Sequence, residues 1–236
     1  MGAQSTPRAA SAPRAVPLTH AFRWFETAIR MFKVAPLAWC ALGAITLLSE
    51  LALELVPGVG PAAARVIVPV VECGMLLGAA AVDRGARIEM RFAISAFGAR
   101  PAALAAIVLS ALVATAAETT LAYALTGVNL LAETNDERLT TTARVAVSGA
   151  EALASLPVLF VPFAVLLENR SFAPAFATSV RGFALNVAPL ILFGALSLVL
   201  IAIGALAFYV GLIAVFPLLT AASYAAWKDI YVPIRP

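Results

Sequence analysis

Apolar residues run through this chain in long unbroken stretches rather than in alternation. Continuous runs of about 20 apolar residues are what a helix needs to cross the hydrocarbon core of a bilayer. The pattern predicts six such helices, at about 35–56, 62–82, 101–122, 145–167, 187–206 and 209–227. Residues 189–227 contain no Asp, Glu, Lys or Arg at all, and only Phe208, Tyr209 and Gly211 mark a turn between the last two helices. A transmembrane β-barrel is excluded, because its strands would alternate apolar and polar positions. The expected fold class is all-α, a polytopic membrane protein. It comprises a disordered tail over 1–16, one transmembrane domain over 17–227 and a short C-terminal tail over 228–236.

A second pattern precedes some of these runs. Phe25, Ile29 and Phe32 are spaced by four and three residues, followed by Pro36; Met90, Ile94 and Phe97 repeat the spacing before Pro101; Phe176, Val180 and Phe183 repeat it before Pro189. That spacing places each trio on one helical face. Arg23, Glu26, Thr27, Arg30 and Lys33 fill the opposite face of the first. A helix so divided lies in the membrane interface with its apolar face down. Each proline then suits a helix start, where its missing N–H would be unpaired anyway. The tetrapeptide Val-Ala-Pro-Leu occurs at both 34–37 and 187–190. The expected unit is one interfacial segment plus two spanning helices, used three times in parallel; inverted pairs, common in transporters, are not the pattern here.

Composition agrees. The chain of 236 residues is 62% hydrophobic, with a mean hydropathy of +0.96, against roughly 45–50% apolar in soluble domains. The first 16 residues lack an apolar h-region, so no cleavable signal peptide is expected. Charge sets orientation. Thirteen of the sixteen Lys and Arg residues fall on the side of the termini, leaving Arg65, Arg138 and Arg144 on the other. By the positive-inside rule both termini are cytoplasmic, and the loop with Glu133, Asp136 and Glu137 faces outward. The localisation expected is the cell inner membrane. The net charge of +3 follows from this bias and calls for membrane lipids as partners, with other membrane proteins as further candidates; it needs no nucleic acid.

The proline-led hairpin after an aromatic amphipathic segment, the Pro61 turn, Pro157 and Pro162 in the fourth helix, and the ending Tyr224-Ala-Ala-Trp-Lys-Asp-Ile-Tyr231 together resemble an uncharacterised family of proteobacterial six-helix inner-membrane proteins. That family is distantly similar to the membrane domain attached to some glycerophosphodiester phosphodiesterases. The resemblance spans about residues 17–231 and rests on structural motifs. It implies six helices in the inner membrane and no activity. Nothing in these residues corresponds to the phosphodiesterase barrel, so no catalytic residue carries over.

Chemistry is sparse. Cys40 and Cys73 both fall within predicted helices and read as small buried residues. His20 is the only histidine and is placed in water. No nucleotide, redox or zinc motif occurs, so no cofactor, metal or catalytic centre is implied. What stands out is acid inside the membrane: Glu50, Glu54, Glu72, Glu118 and Glu151. Ionisable groups there are costly and mark functional sites by default. Glu54 can pair with Arg65 across the Pro57–Pro61 turn. Glu72, the eleventh residue of its helix and roughly 15 Å deep at 1.5 Å per residue, should face the bundle interior or a wet cavity. Pro69 removes the usual partner of the Arg65 carbonyl beside it. Glu72, Glu50, Glu54 and Glu151 are therefore the candidate ion or proton site. Gly74 and Gly78 form a small-residue face for close helix packing. Two functions remain open: a non-catalytic membrane component that binds lipid or protein, and a transporter or channel for a small cation or proton. They differ in one respect. A transporter needs its acids to converge on one cavity, whereas a scaffold can scatter them at helix ends.

Overall fold

The computed structural model describes residues 12–127, 149–150, 152–206 and 210–232. Glu151 and the loop carrying Glu133, Asp136 and Glu137 lie outside them. The described residues are helical, with no strand. In chain order the helices are α1 (His20–Val34), α2 (Pro36–Glu54), α3 (Gly60–Asp83), α4 (Phe92–Ser95), α5 (Pro101–Thr126), α6 (Val161–Leu167), α7 (Phe172–Leu185), α8 (Val187–Leu206) and α9 (Leu212–Tyr231).

Four of these, α2, α3, α5 and α8, are long and apolar enough to cross a membrane, which points to a membrane protein. More than half of the α3 span is buried (56%), against 22–28% for the other three, so α3 is the innermost of these four. Side chains left exposed on the others include Leu48, Leu51, Leu109, Leu112, Val199 and Ile203. An apolar outside is the reverse of a soluble bundle and fits a hydrocarbon solvent.

Pro36 and Pro101 stand in the first positions of their helices as expected, and Pro189 is the third residue of α8; Pro162, expected inside the fourth helix, instead stands at the start of α6. The fourth apolar run departs from expectation. A single helix over 145–167 is not formed: residues 152–155 are helical, Leu156–Val158 is a 3₁₀ turn, and α6 begins anew at Val161. Pro157 and Pro162 interrupt the backbone ladder. Ser179 of α7 repairs the gap, accepting the Phe160 N–H at 3.2 Å and donating to the Pro157 carbonyl at 2.8 Å.

Helices α8 and α9 are separate and antiparallel. Trp24 of α1 packs edge-on against Phe193 near the start of α8 and donates its indole N–H to Asp229 near the end of α9. At the opposite end Gly204 and Gly211 touch so closely that a Cβ on Gly211 would sit 2.7 Å from the Gly204 Cα.

Helix α1 has three faces rather than two. Ala21, Trp24, Ala28 and Met31 are buried, chiefly against α9. Phe25 and Phe32 are half-buried and, with exposed Phe22 and Ile29, form an apolar stripe; Arg23, Glu26, Arg30 and Lys33 stay exposed. Helix α7 repeats this layout, burying Ala175, Ser179 and Gly182 and leaving Phe176 and Phe183 half-buried and Val180 exposed. The middle segment is not a regular amphipathic helix. It is the four-residue α4 followed by a 3₁₀ turn, Ala96–Gly98, although Met90, Ile94 and Phe97 are all exposed.

The bundle is dry at the end that carries α1. Its main core joins Trp24, Trp39, Leu42, Met75, Phe163, Phe193 and Trp227, drawn from α1 and α6, the first halves of α2 and α8 and the second halves of α3 and α9. Gly43 lets α2 approach the Ile213 carbonyl and Pro217 of α9 with no room for a Cβ. Gly74 and Gly78 also serve close packing, within the chain. A Cβ on Gly74 would collide with the Phe92 carbonyl, and one on Gly78 would meet Ile88 at 3.1 Å. Their partner is the short segment leading into α4, not another long helix.

Candidate functional site

The opposite half of the bundle holds a cavity of about 940 Å³, walled by α2, α3, α5, α6, α8, α9 and residues 152–159. Glu50 and Glu54 reach it from the last two turns of α2, Arg65 and Glu72 from α3, and Glu118 from α5. Among the described residues four carboxylates thus line one space, with Arg65 beside them. Three of the four candidate residues read from the sequence, Glu50, Glu54 and Glu72, are brought together here, and Glu118 joins them. Glu151 is outside the described residues.

Glu72 is the deepest of the set. It stands midway along α3, enclosed by protein, and its side chain is open to the cavity it lines. No hydrogen bond or ion pair holds it among the described residues. The expected Glu54–Arg65 pair does not form: both residues line the cavity, but no oxygen–nitrogen contact within 4 Å joins them, and Glu54 is exposed at the end of its helix. Near water, such a pair gains little over separate solvation, so the turn does not draw the two together.

The hydroxyl groups give the wall its sign. Ser110, Ser155, Ser197 and Thr220 all line the cavity. Each donates its own proton to a carbonyl three or four residues back: Ile107 at 2.7 Å, Ala152 at 3.0 Å, Phe193 at 2.8 Å and Phe216 at 3.1 Å. A hydroxyl whose proton is committed in this way retains only acceptor lone pairs. Carboxylates and acceptor oxygens together make an environment that favours positive charge. Sequence reasoning missed these residues because single Ser and Thr residues in apolar helices carry no spacing signal; only the fold shows that they converge.

The dry end is closed by polar locks built from the Tyr224–Tyr231 ending. Asp83, at the end of α3, accepts the Tyr224 hydroxyl at 2.9 Å and the Lys228 ammonium at 2.7 and 2.8 Å. Asp229 gathers three donors. Arg14 Nη2 lies 2.7 Å from Oδ1, while His20 Nδ1 at 2.7 Å and Trp24 Nε1 at 2.9 Å share Oδ2. Burial pushes the Asp229 carboxyl up, but the hydrogen bonds from Trp24, His20 and Arg14 outweigh it and hold it below the usual carboxylate range. The Tyr231 hydroxyl donates to the Thr178 carbonyl at 3.1 Å and fills the space that a Cβ on Gly182 would need.

These contacts correct two expectations. His20 is not in open water; it is mostly covered and bound to Asp229. The tail is also not free throughout 1–16. The Arg14 N–H donates to the Ile230 carbonyl at 3.0 Å, and the buried Asn186 side chain accepts the Val16 N–H at 2.8 Å and donates to the Arg14 carbonyl at 2.9 Å. The segment 14–16 is a strap across the end of α9 and the α7–α8 junction. Lys228–Tyr231 likewise continues α9 rather than forming a tail.

Comparison with protein-family models, curated proteins and solved structures found no match.

Proposed function

We propose that this chain is a multi-pass inner-membrane protein that takes a small cation into the acidic cavity and conducts it across the bilayer. The observation that carries this reading is convergence: Glu50, Glu54, Glu72 and Glu118, from three helices, share one space with acceptor-only hydroxyls. A cleft in which one sign of charge predominates concentrates the opposite ion; here the acids outnumber Arg65 among the described residues. Glu50 and Glu54 stand at the end of α2, but they line the same cavity as Glu72, which supports this reading over a scaffold.

The topology proposed with it is six crossings with both termini cytoplasmic. The broken segment 152–167 and α9 supply the two crossings beyond α2, α3, α5 and α8. The order of elements supports a threefold repeat: a short helix precedes a pair of longer segments at α1, at α4 and at α7. The same reading keeps the resemblance to proteobacterial six-helix inner-membrane proteins as a proposal. On this topology the cavity opens to the outside and the core around Trp39, Phe163 and Trp227 seals the inside.

A second reading, a lipid- or protein-binding component without catalysis, is favoured by the exposure of Ile29, Met90, Ile94, Phe97 and Val180. It accounts for the surface and leaves the cavity without a purpose.

Uptake into vesicles tests the proposal. Purified protein in liposomes, given K⁺ or a proton gradient and a small organic cation in turn, is expected to show saturable uptake of at least one cation and none of a neutral solute of like size. Uptake no greater than in protein-free vesicles for every cation would contradict it.

A further inference from the structure

Resting on that reading, we propose that the cation is a protonated organic amine with an apolar body, its ammonium group held at Glu72. Three features of the cavity carry this. The first is size. At about 940 Å³ it lies at the upper end of the range, roughly 300–1,000 Å³, that encloses organic ligands, far beyond what a dehydrated ion fills. The second is the spacing of the acids. Among the described residues no three His, Cys, Asp or Glu side chains come close enough to share a metal ion, and caging a bare ion takes several oxygens within roughly 2.6 Å of it.

The third is the division of the wall. Beside Glu72 the lining includes Leu76, Ile107, Phe163, Phe193 and Phe216, side chains that offer nothing to a hydrated inorganic ion. They suit a hydrocarbon or aromatic body, and ring faces add attraction for a nearby ammonium. Among the described residues Glu72 has no hydrogen-bond or ion-pair partner, and it is open to this space, so it can take a cationic donor. Ser110, Ser197 and Thr220, with their protons already committed, accept further N–H bonds. An ammonium carrying N–H groups satisfies both; a quaternary ammonium satisfies only the charge.

Calorimetry on the full-length protein in mild detergent tests this with three probes: phenethylammonium, its neutral analogue 2-phenylethanol, and K⁺. Phenethylammonium is expected to bind at least about tenfold more tightly than 2-phenylethanol and to lose at least about tenfold on Glu72→Gln, a change of shape too small to disturb folding. Glu72-dependent binding of K⁺ with no binding of phenethylammonium would overturn this inference and leave the proposed function standing. Equal binding of the amine and the alcohol would likewise overturn this inference, and binding of neither amine nor K⁺, together with no uptake of any cation into liposomes, would overturn both.

Discussion

Glu72→Gln is expected to reduce cation uptake into liposomes by at least about tenfold, with the helix content and melting temperature of the purified protein unchanged. Gln keeps the shape and removes the charge. Glu72 stands deep in the cavity, midway along α3, where charge interactions are stronger than in bulk water. A tenfold loss corresponds to about 1.4 kcal/mol. Glu54→Gln provides the internal contrast. Glu54 lines the same cavity but is exposed at its rim, where salt and water screen it, and its loss should change uptake less than about twofold. Uptake by Glu72→Gln at the wild-type level would remove Glu72 from the pathway.

Asp229→Ala is expected to destabilise the protein by about 3 kcal/mol, at the scale of breaking a partly buried charge network, and to free the strap at residues 14–16. Three side chains, Arg14, His20 and Trp24, lose their shared acceptor. The same network predicts a pH dependence with a definite sign. The Asp229 carboxyl is held below its usual range in the folded protein. Its contribution is therefore complete above the unfolded value of about 3.9, and is lost as the pH falls from there through the depressed folded value. Thermal melts from pH 7 to pH 3 should show the wild type losing stability below about pH 4. Asp229→Asn should start lower and lose less over the same interval. Parallel curves for the two proteins would show that this carboxylate is not the group responsible.

Apolar length and periodicity made much of the architecture legible. The helix starts at Pro36 and Pro101 follow from local backbone rules, and the shared face of Phe25, Ile29 and Phe32 follows from periodicity alone. Periodicity did not reveal the third, buried face of α1, because Trp24 and Ala28 lie between the apolar stripe and the charged one. The break at Pro157 could be read as a kink, but not its repair by Ser179, which needs a contact 22 residues away. The depth of Glu72 was countable along its helix. Its convergence with Glu50 and Glu118 was not, since the rotation of one helix against another is set by tertiary packing, as where Gly43 of α2 meets Ile213 and Pro217 of α9, and has no local signature. The ending from Tyr224 to Tyr231 stood out as a motif, yet its meaning lay in partners as distant as Arg14 and Asp83.

The bundle is expected to admit water to an acidic cavity at one end and to exclude it at the other. Cysteine accessibility tests it directly. In a Cys40→Ala, Cys73→Ala background, Thr220→Cys in the cavity wall and Ala79→Cys in the dry core are each exposed to a cationic and an anionic methanethiosulfonate of like size. The account predicts that Thr220→Cys reacts at least about tenfold faster with the cationic reagent, after correction for intrinsic reactivity, because an acidic cleft raises local cation concentration by about 10-fold or more, and that Ala79→Cys reacts with neither. Equal rates for the two reagents at Thr220→Cys, or no reaction there at all, would contradict it.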